Sequence, residues 1–203
     1  MSIVTQIKPV RQKFKISLDC GKEFMLYKGE TKRFQLSEGT QVSEECLEEI
    51  YKILYNRAKE RALYLLDRSP KTEKEIRDKL FQGGYPEEIC DSVISYLKEY
   101  FLVDDERYVA TYLEYKSKLK SKRQMMQELY AKGISAELFI KVYDEKEISE
   151  FDALDYIIQK RCSRYDMSDM KSVQRFYQYL VSKGYHYHDV KERLEHYIHI
   201  ESM

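Results

Sequence analysis

A helix-capping signature recurs at a fixed distance in this chain, and that recurrence limits the fold more than any other feature. Thr72-x-x-Glu75 is followed by Ile76, Leu80 and Gly84, and Ser121-x-x-Gln124 by Met125, Leu129 and Gly133. Each member of the second set stands 49 residues after its counterpart, and the shift continues from Ile89 and Val93 to Leu138 and Val142. A Ser or Thr hydroxyl with Glu or Gln three residues on opens a helix, apolar residues four apart bury one stripe, and glycine closes it. Seven positions in one spacing therefore define a repeated helical unit. With an offset of 51, Ser172, Phe176, Leu180 and Gly184 give a third copy; one inserted residue then aligns Val190 and Leu194 with Leu138 and Val142.

The unit is three helices. In the first copy Ala58, Ala62, Leu65 and Leu66 mark one amphipathic helix, and Ile89, Val93, Tyr96, Leu97 and Tyr100 mark the last. The second copy opens at Asp104-Asp105 with Tyr108, Tyr112, Tyr115 and Leu119 in helical register, and the third opens near Ser149. Only 3 Pro and 7 Gly punctuate the chain, which favours long helices. Ahead of the repeats, Phe14, Ile16 and Leu18 alternate with Lys13, Lys15 and Ser17 at strand period, Asp19-Cys20-Gly21-Lys22 supplies a turn, and Phe24 to Tyr27 returns. Residues 33–36 are expected as a third short strand. Ser43 caps the next helix, with Val42 and Leu47 placed as a hydrophobic staple. The expected fold is mainly α: a tandem, elongated and curved array of three three-helix repeats behind a small β-hairpin or meander. Its boundaries are 1–42 for the β extension, 43–103 for the first repeat with its leading helix, 104–147 for the second and 148–203 for the third.

Several function classes are excluded. The net charge is +0, so nucleic-acid or acidic-partner binding requires local segregation of charge. Cys20, Cys46, Cys90 and Cys162 form no C-x-x-C pair, which signals neither a zinc ribbon nor a disulfide framework and suits reduced thiols in the cytoplasm. The opening residues lack a signal-peptide core, and no stretch approaches a membrane span of about 18 apolar residues. No G-x-S-x-G, H-E-x-x-H, P-loop or G-x-G-x-x-G is present. Neither an enzyme nor a cofactor is expected. His186, His188, His196 and His199 crowd the C-terminal end, but with no Cys or third ligand in place they give no closed metal site. Most of the 19 tyrosines fall at core spacing and are expected to pack rather than to stack on bases.

The residues Arg61-Ala62-Leu63-Tyr64-Leu65-Leu66, Ser69-Pro70-Lys71-Thr72-Glu73-Lys74-Glu75-Ile76-Arg77 and Gly83-Gly84-Tyr85, in that order, resemble the opening repeat of the RecX regulatory proteins. The junction Phe101-Leu102-Val103-Asp104-Asp105-Glu106-Arg107-Tyr108-Val109 is similar to the family's most recognisable segment, and Lys132-Gly133-Ile134 to the end of its second central helix. The resemblance runs from about Ala58 to Tyr197. Residues 116–123 depart from it in lacking a glycine, so a more continuous helix is expected there. The resemblance implies a monomeric cytoplasmic modulator of RecA that lies in the groove of the RecA–DNA filament and hinders ATP turnover and strand exchange, with RecA as protein partner, direct single- or double-stranded DNA contact open, and no membrane.

Lys116, Lys118, Lys120, Lys122 and Arg123 place five cations among eight residues without an acid. Such a patch can neutralise DNA phosphates or acidic side chains on a protein filament; the alternative is a solvated helix end whose cations offset the helix dipole. Arg161, Arg164, Lys171 and Arg175 give a second candidate contact set in the third repeat, and Lys8, Arg11, Lys13 and Lys15 make the hairpin basic. Lys71, Lys74, Arg77 and Lys79 alternate with acids and fit pairing along a helix. Two rivals stand beside the RecA reading. A stand-alone helix-turn-helix-like protein would bind duplex DNA without RecA, and a helical-repeat adaptor would serve another protein.

Overall fold

The computed structural model describes the backbone of residues 1–201 and the side chains of residues 1–197. The chain divides into two compact units after Asp104. In the first, β1 (Ser2–Val10), β2 (Lys13–Leu18), β3 (Glu23–Tyr27) and β4 (Gln41–Val42) form an antiparallel sheet in the order β3-β2-β1-β4. Val10 pairs with Lys13, so a two-residue turn joins β1 to β2, and Arg11 takes the positive φ of 56° that such a turn demands.

Two features of this sheet depart from expectation. β1 carries no alternating apolar signal because Val4 is its one buried residue. Residues 33–36 are not a strand: α1 (Lys28–Arg33) occupies the approach, Phe34 caps it, and Gln35 has a φ of 47°. The edge is supplied instead by β4, immediately before the next helix.

That helix, α2 (Glu44–Arg68), runs unbroken for 25 residues from its N-cap Ser43, whose hydroxyl accepts from the Cys46 N–H at 3.2 Å. With α3 (Glu73–Gln82) and α4 (Glu87–Glu99) it completes three helices. Ile16, Phe24 and Leu26 of the sheet, Ile50, Leu54, Ala58 and Ala62 of α2, and Ile76, Leu80, Val93 and Leu97 of α3 and α4 belong to one contiguous core. The strands are thus stabilised by helices, as a sheet this small requires.

The second unit holds two further sets of three. The first is α5 (Asp105–Lys116), α6 (Lys122–Ala131) and α7 (Ala136–Glu145); the second is α8 (Glu150–Arg161), a 3₁₀ turn at Cys162–Arg164, α9 (Met170–Ser182) and α10 (Tyr187–Glu201). Each set has its own core, around Leu113, Met125, Leu129 and Phe139 in one and Leu154, Ile158, Phe176 and Leu180 in the other.

The repeat is physical as well as textual. Thr72 and Ser121 are fully buried N-caps, each in a reciprocal box with Glu75 or Gln124. At the far ends Gly84, Gly133 and Gly184 all take positive φ, and the residues after them, Tyr85, Ile134 and Tyr185, donate back to the carbonyls of Leu80, Leu129 and Leu180. The third copy differs at its start. Asp169, not Ser172, caps α9, accepting from the Lys171 and Ser172 N–H groups at 3.1 Å; the helix begins earlier and Ser172 instead accepts from the Asp166 N–H.

Two other expectations are corrected. α5 stops at Lys116 and α6 starts afresh at Lys122, so residues 117–120 form a turn rather than continuous helix. Tyr100 and Tyr115 lie on the solvent side despite their spacing. Twelve of the 19 tyrosines nevertheless belong to or pack against the three cores. Among the described residues no helix is long and apolar enough to cross a membrane.

Candidate functional site

The turn between α5 and α6 follows from its ends. Leu119 and Lys120 donate to the Lys116 carbonyl at 2.9 and 3.1 Å, closing α5. Ser121 then accepts from the Gln124 N–H at 3.2 Å and donates its own hydroxyl proton to the Lys183 carbonyl, beyond the end of α9, at 2.7 Å. One buried hydroxyl therefore starts α6 and ties the basic turn to the third helical set.

The five cations of this segment are not equivalent. Lys120 is bound to both oxygens of Glu128, at 2.6 Å to Oε2, and the Tyr112 hydroxyl donates to the same carboxylate at 2.6 Å. Burial acts to raise the Glu128 pKa, but Lys120 and Tyr112 prevail and hold it below the usual carboxylate range. Lys122 lies 3.5 Å from the Asp144 carboxylate and 4.3 Å from the centroid of the Tyr143 ring, while its backbone N–H donates to Glu150 at 2.6 Å. Lys118 and Arg123 are exposed, and neither forms an ion pair among the described residues. Lys116 is half-buried in the last turn of α5.

Helix polarity separates these groups. Lys116 sits at a C-terminus, where a cation offsets the dipole. Lys122 and Arg123 sit in the first turn of α6, which holds no acid, so the dipole opposes them. Dipole compensation accounts for the first and leaves the other two without a structural benefit from their helix. Arg123 also borders a cleft of about 480 Å³ whose walls include Met126, Ile140, Val181 and Tyr187. Ile140 and Tyr187 are exposed there. The charge pattern gave no hint of this apolar surround, because the contributing residues come from four different helices.

Arg161, Arg164, Lys171 and Arg175 are only partly gathered. Arg161 lies with its guanidinium 5.0 Å from the Tyr179 ring centroid, and Arg164 is exposed on the 3₁₀ turn. Lys171 and Arg175 are both exposed and one helical turn apart on α9, a like-charge spacing that helix stability disfavours. The end of α9 that meets Ser121 is the opposite one, about 18 Å of helix rise from Lys171.

Three of the other basic candidates form local ion pairs. Lys74 bridges Asp78 at 3.0 Å and Arg77 bridges Glu73 at 3.3 Å along α3, while Lys15 bridges Glu23 at 2.7 Å across the sheet. His186, His188 and His196 are exposed, and the His199 side chain lies outside the described residues. No group of three metal-ligating side chains occurs among the described residues.

Residues 58–97 match the family model of the RecX first three-helix domain, and residues 104–139 that of the second. The regulatory protein RecX of Clostridium botulinum strain Alaska E43 / Type E3 is 30% identical over 174 residues, covering 81% of this chain and 82% of that protein. That of Clostridioides difficile strain 630 is 29% identical over 202 residues, covering 96% and 95%. Among solved structures, RecX from Lactobacillus salivarius superposes with a TM-score of 0.64 at 19% identity, over 73% of this chain and 99% of that one. A second crystal structure of a regulatory protein RecX gives 0.62 at 22% identity, over 95% and 100%.

Proposed function

The chain belongs to the RecX family of regulatory proteins, and from that premise we propose that it is a cytoplasmic negative regulator of RecA, binding the RecA filament and lowering its ATPase, strand-exchange and coprotease activities in DNA repair and recombination. The observation that carries the contact surface is the first turn of α6. Cations stand there against the helix dipole, beside a turn whose Lys118 faces solvent. Exposed positive charge at Lys118 and Arg123, without an ion pair among the described residues and beside a buried cap, suits recognition of an anionic partner.

Lys118 and Arg123 lead this surface, with Lys116 beside them. Lys120 and Lys122 join it by exchanging Glu128 and Asp144 for the partner's anions. Arg161, Arg164, Lys171 and Arg175 extend the contact along the third set. The nearby apolar wall of Met126, Ile140 and Val181 favours a protein surface over bare phosphate, since phosphates have nothing to bury against it.

The test is DNA-dependent ATP hydrolysis and strand exchange by RecA with a substoichiometric amount of this protein at two salt concentrations. Loss of both activities, weaker at high salt, is expected. No effect at any ratio with the fold intact overturns the reading, and duplex binding without RecA would move it to the helix-turn-helix alternative.

A further inference from the structure

The first unit carries a second concentration of positive charge, and this one is concave. Lys13 of β2, Arg57 and Arg61 of α2 and Lys79 of α3 line a cleft of about 600 Å³, against the single acid Glu60 among its described lining residues. The volume is that of a small-molecule site. Arg57 anchors the wall: it is ion-paired with Glu30 through one terminal nitrogen, while the other, Nη1, is buried without a hydrogen-bond partner. A guanidinium normally finds acceptors for its donors, so this nitrogen is an enclosed donor left unmet behind the wall of the cleft.

Lys13 reaches the Gly83 carbonyl at 3.4 Å and faces Arg57. Burial first, and the Arg57 charge second, push the Lys13 pKa below the lysine range, with Glu30 opposing them. An anion between Lys13 and Arg57 would relieve that repulsion. Lys79 is held loosely, bonded to the neutral Gln82 at 3.2 Å.

The rim is aromatic. Tyr27 and Tyr64 are both exposed; the Arg57 guanidinium lies 4.7 Å from the Tyr27 centroid, and those of Arg61 and Arg68 lie 5.5 and 4.6 Å from that of Tyr64. Exposed rings flanked by guanidinium groups are stacking platforms for bases. A carboxylate would satisfy the cations but make no use of the rings.

We propose that this cleft binds a nucleotide unit, its phosphate held by Lys13, Arg57 and Arg61 and its base stacked on Tyr64. The site belongs jointly to the β extension and the first helical set, and it stands independently of the RecA contact proposed above.

Isothermal titration of the full chain with inorganic phosphate, a nucleoside 5′-monophosphate and a 5′-phosphorylated oligothymidylate of four units tests this. Arg61→Glu should weaken binding of both nucleotide probes about tenfold, the loss expected of one charged hydrogen-bonding partner. Tyr64→Ala should weaken both nucleotide probes while leaving inorganic phosphate unchanged, and Lys118→Glu should leave the monophosphate unaffected. Tighter binding of the oligonucleotide than of the monophosphate assigns the site to a strand, and equal binding assigns it to free nucleotide. Absence of binding, or indifference to Arg61→Glu and to the milder Arg61→Gln with helicity intact, overturns the proposal. So does a polyglutamate peptide that binds as tightly as the oligonucleotide, which would mark an acidic protein segment as the occupant.

Discussion

The Ser121 hydroxyl donates to the Lys183 main-chain carbonyl at 2.7 Å while accepting from the Gln124 N–H, joining the start of α6 to the end of α9 through one fully buried oxygen. Ser121→Ala removes the cap, about 1 kcal/mol, and strands the Lys183 carbonyl, about 1–3 kcal/mol. Urea unfolding should show a combined loss of about 2–4 kcal/mol. Threonine should recover part of it. A loss below about 0.5 kcal/mol would mean that water replaces the hydroxyl.

Reversing Lys118 and Arg123 to Glu should raise the concentration of this protein needed for half-inhibition of RecA ATPase by about tenfold and flatten its salt dependence. Both side chains are exposed, so circular dichroism and unfolding midpoint should barely change. Unchanged inhibition would remove this turn from the mechanism.

Glu128→Gln should strengthen inhibition, because it releases Lys120 from a carboxylate that now holds it. The stability change should stay below about 1 kcal/mol, since the pair is partly open to solvent. The pH dependence has a definite sign. A Glu pKa held low in the folded state stabilises above the unfolded value of about 4.3, and that contribution disappears as pH falls through the lower folded value. The Gln variant should therefore show a shallower acid limb in its stability profile; an identical limb would refute the coupling.

The thiols should separate by reactivity. Burial pushes the Cys90 thiol up to about 11, and its side chain is fully enclosed. Cys20 is exposed, and a hydrogen bond from Ser2 followed by one from the Lys22 backbone lowers its pKa. A maleimide should modify Cys20 at neutral pH and reach Cys90 only on unfolding. Equal rates in the folded protein would contradict the packing of α4.

The repeat was legible because capping and stopping a helix are local acts. Thr72, Ser121 and the three glycines do in space what their types suggest in sequence. β1 was not, because Val4 is its one buried residue and the rest of the strand is exposed or half-buried, which leaves no apolar stripe to read. Asp169 escaped as the α9 cap because alignment to Ser121 favoured Ser172, one turn inside the helix. The cations of the α5–α6 turn were visible as charge, but their partners were not. Lys120 reaches Glu128 across a turn and Lys122 reaches Asp144 on another helix, and no spacing rule connects either pair.

Helix α2 gives the first unit its folding behaviour. Ile50 and Leu54 near its middle share one core with the sheet and with the helices that follow, and no glycine or proline interrupts its 25 residues. Fraying of the strands would bare that side of the spine, and loss of the spine would leave the strands with nothing to cover them. Amide protons of β2 and of α4 should accordingly exchange with one shared opening free energy, as members of a single cooperative foldon, so that shedding the extension would unravel the repeat beside it.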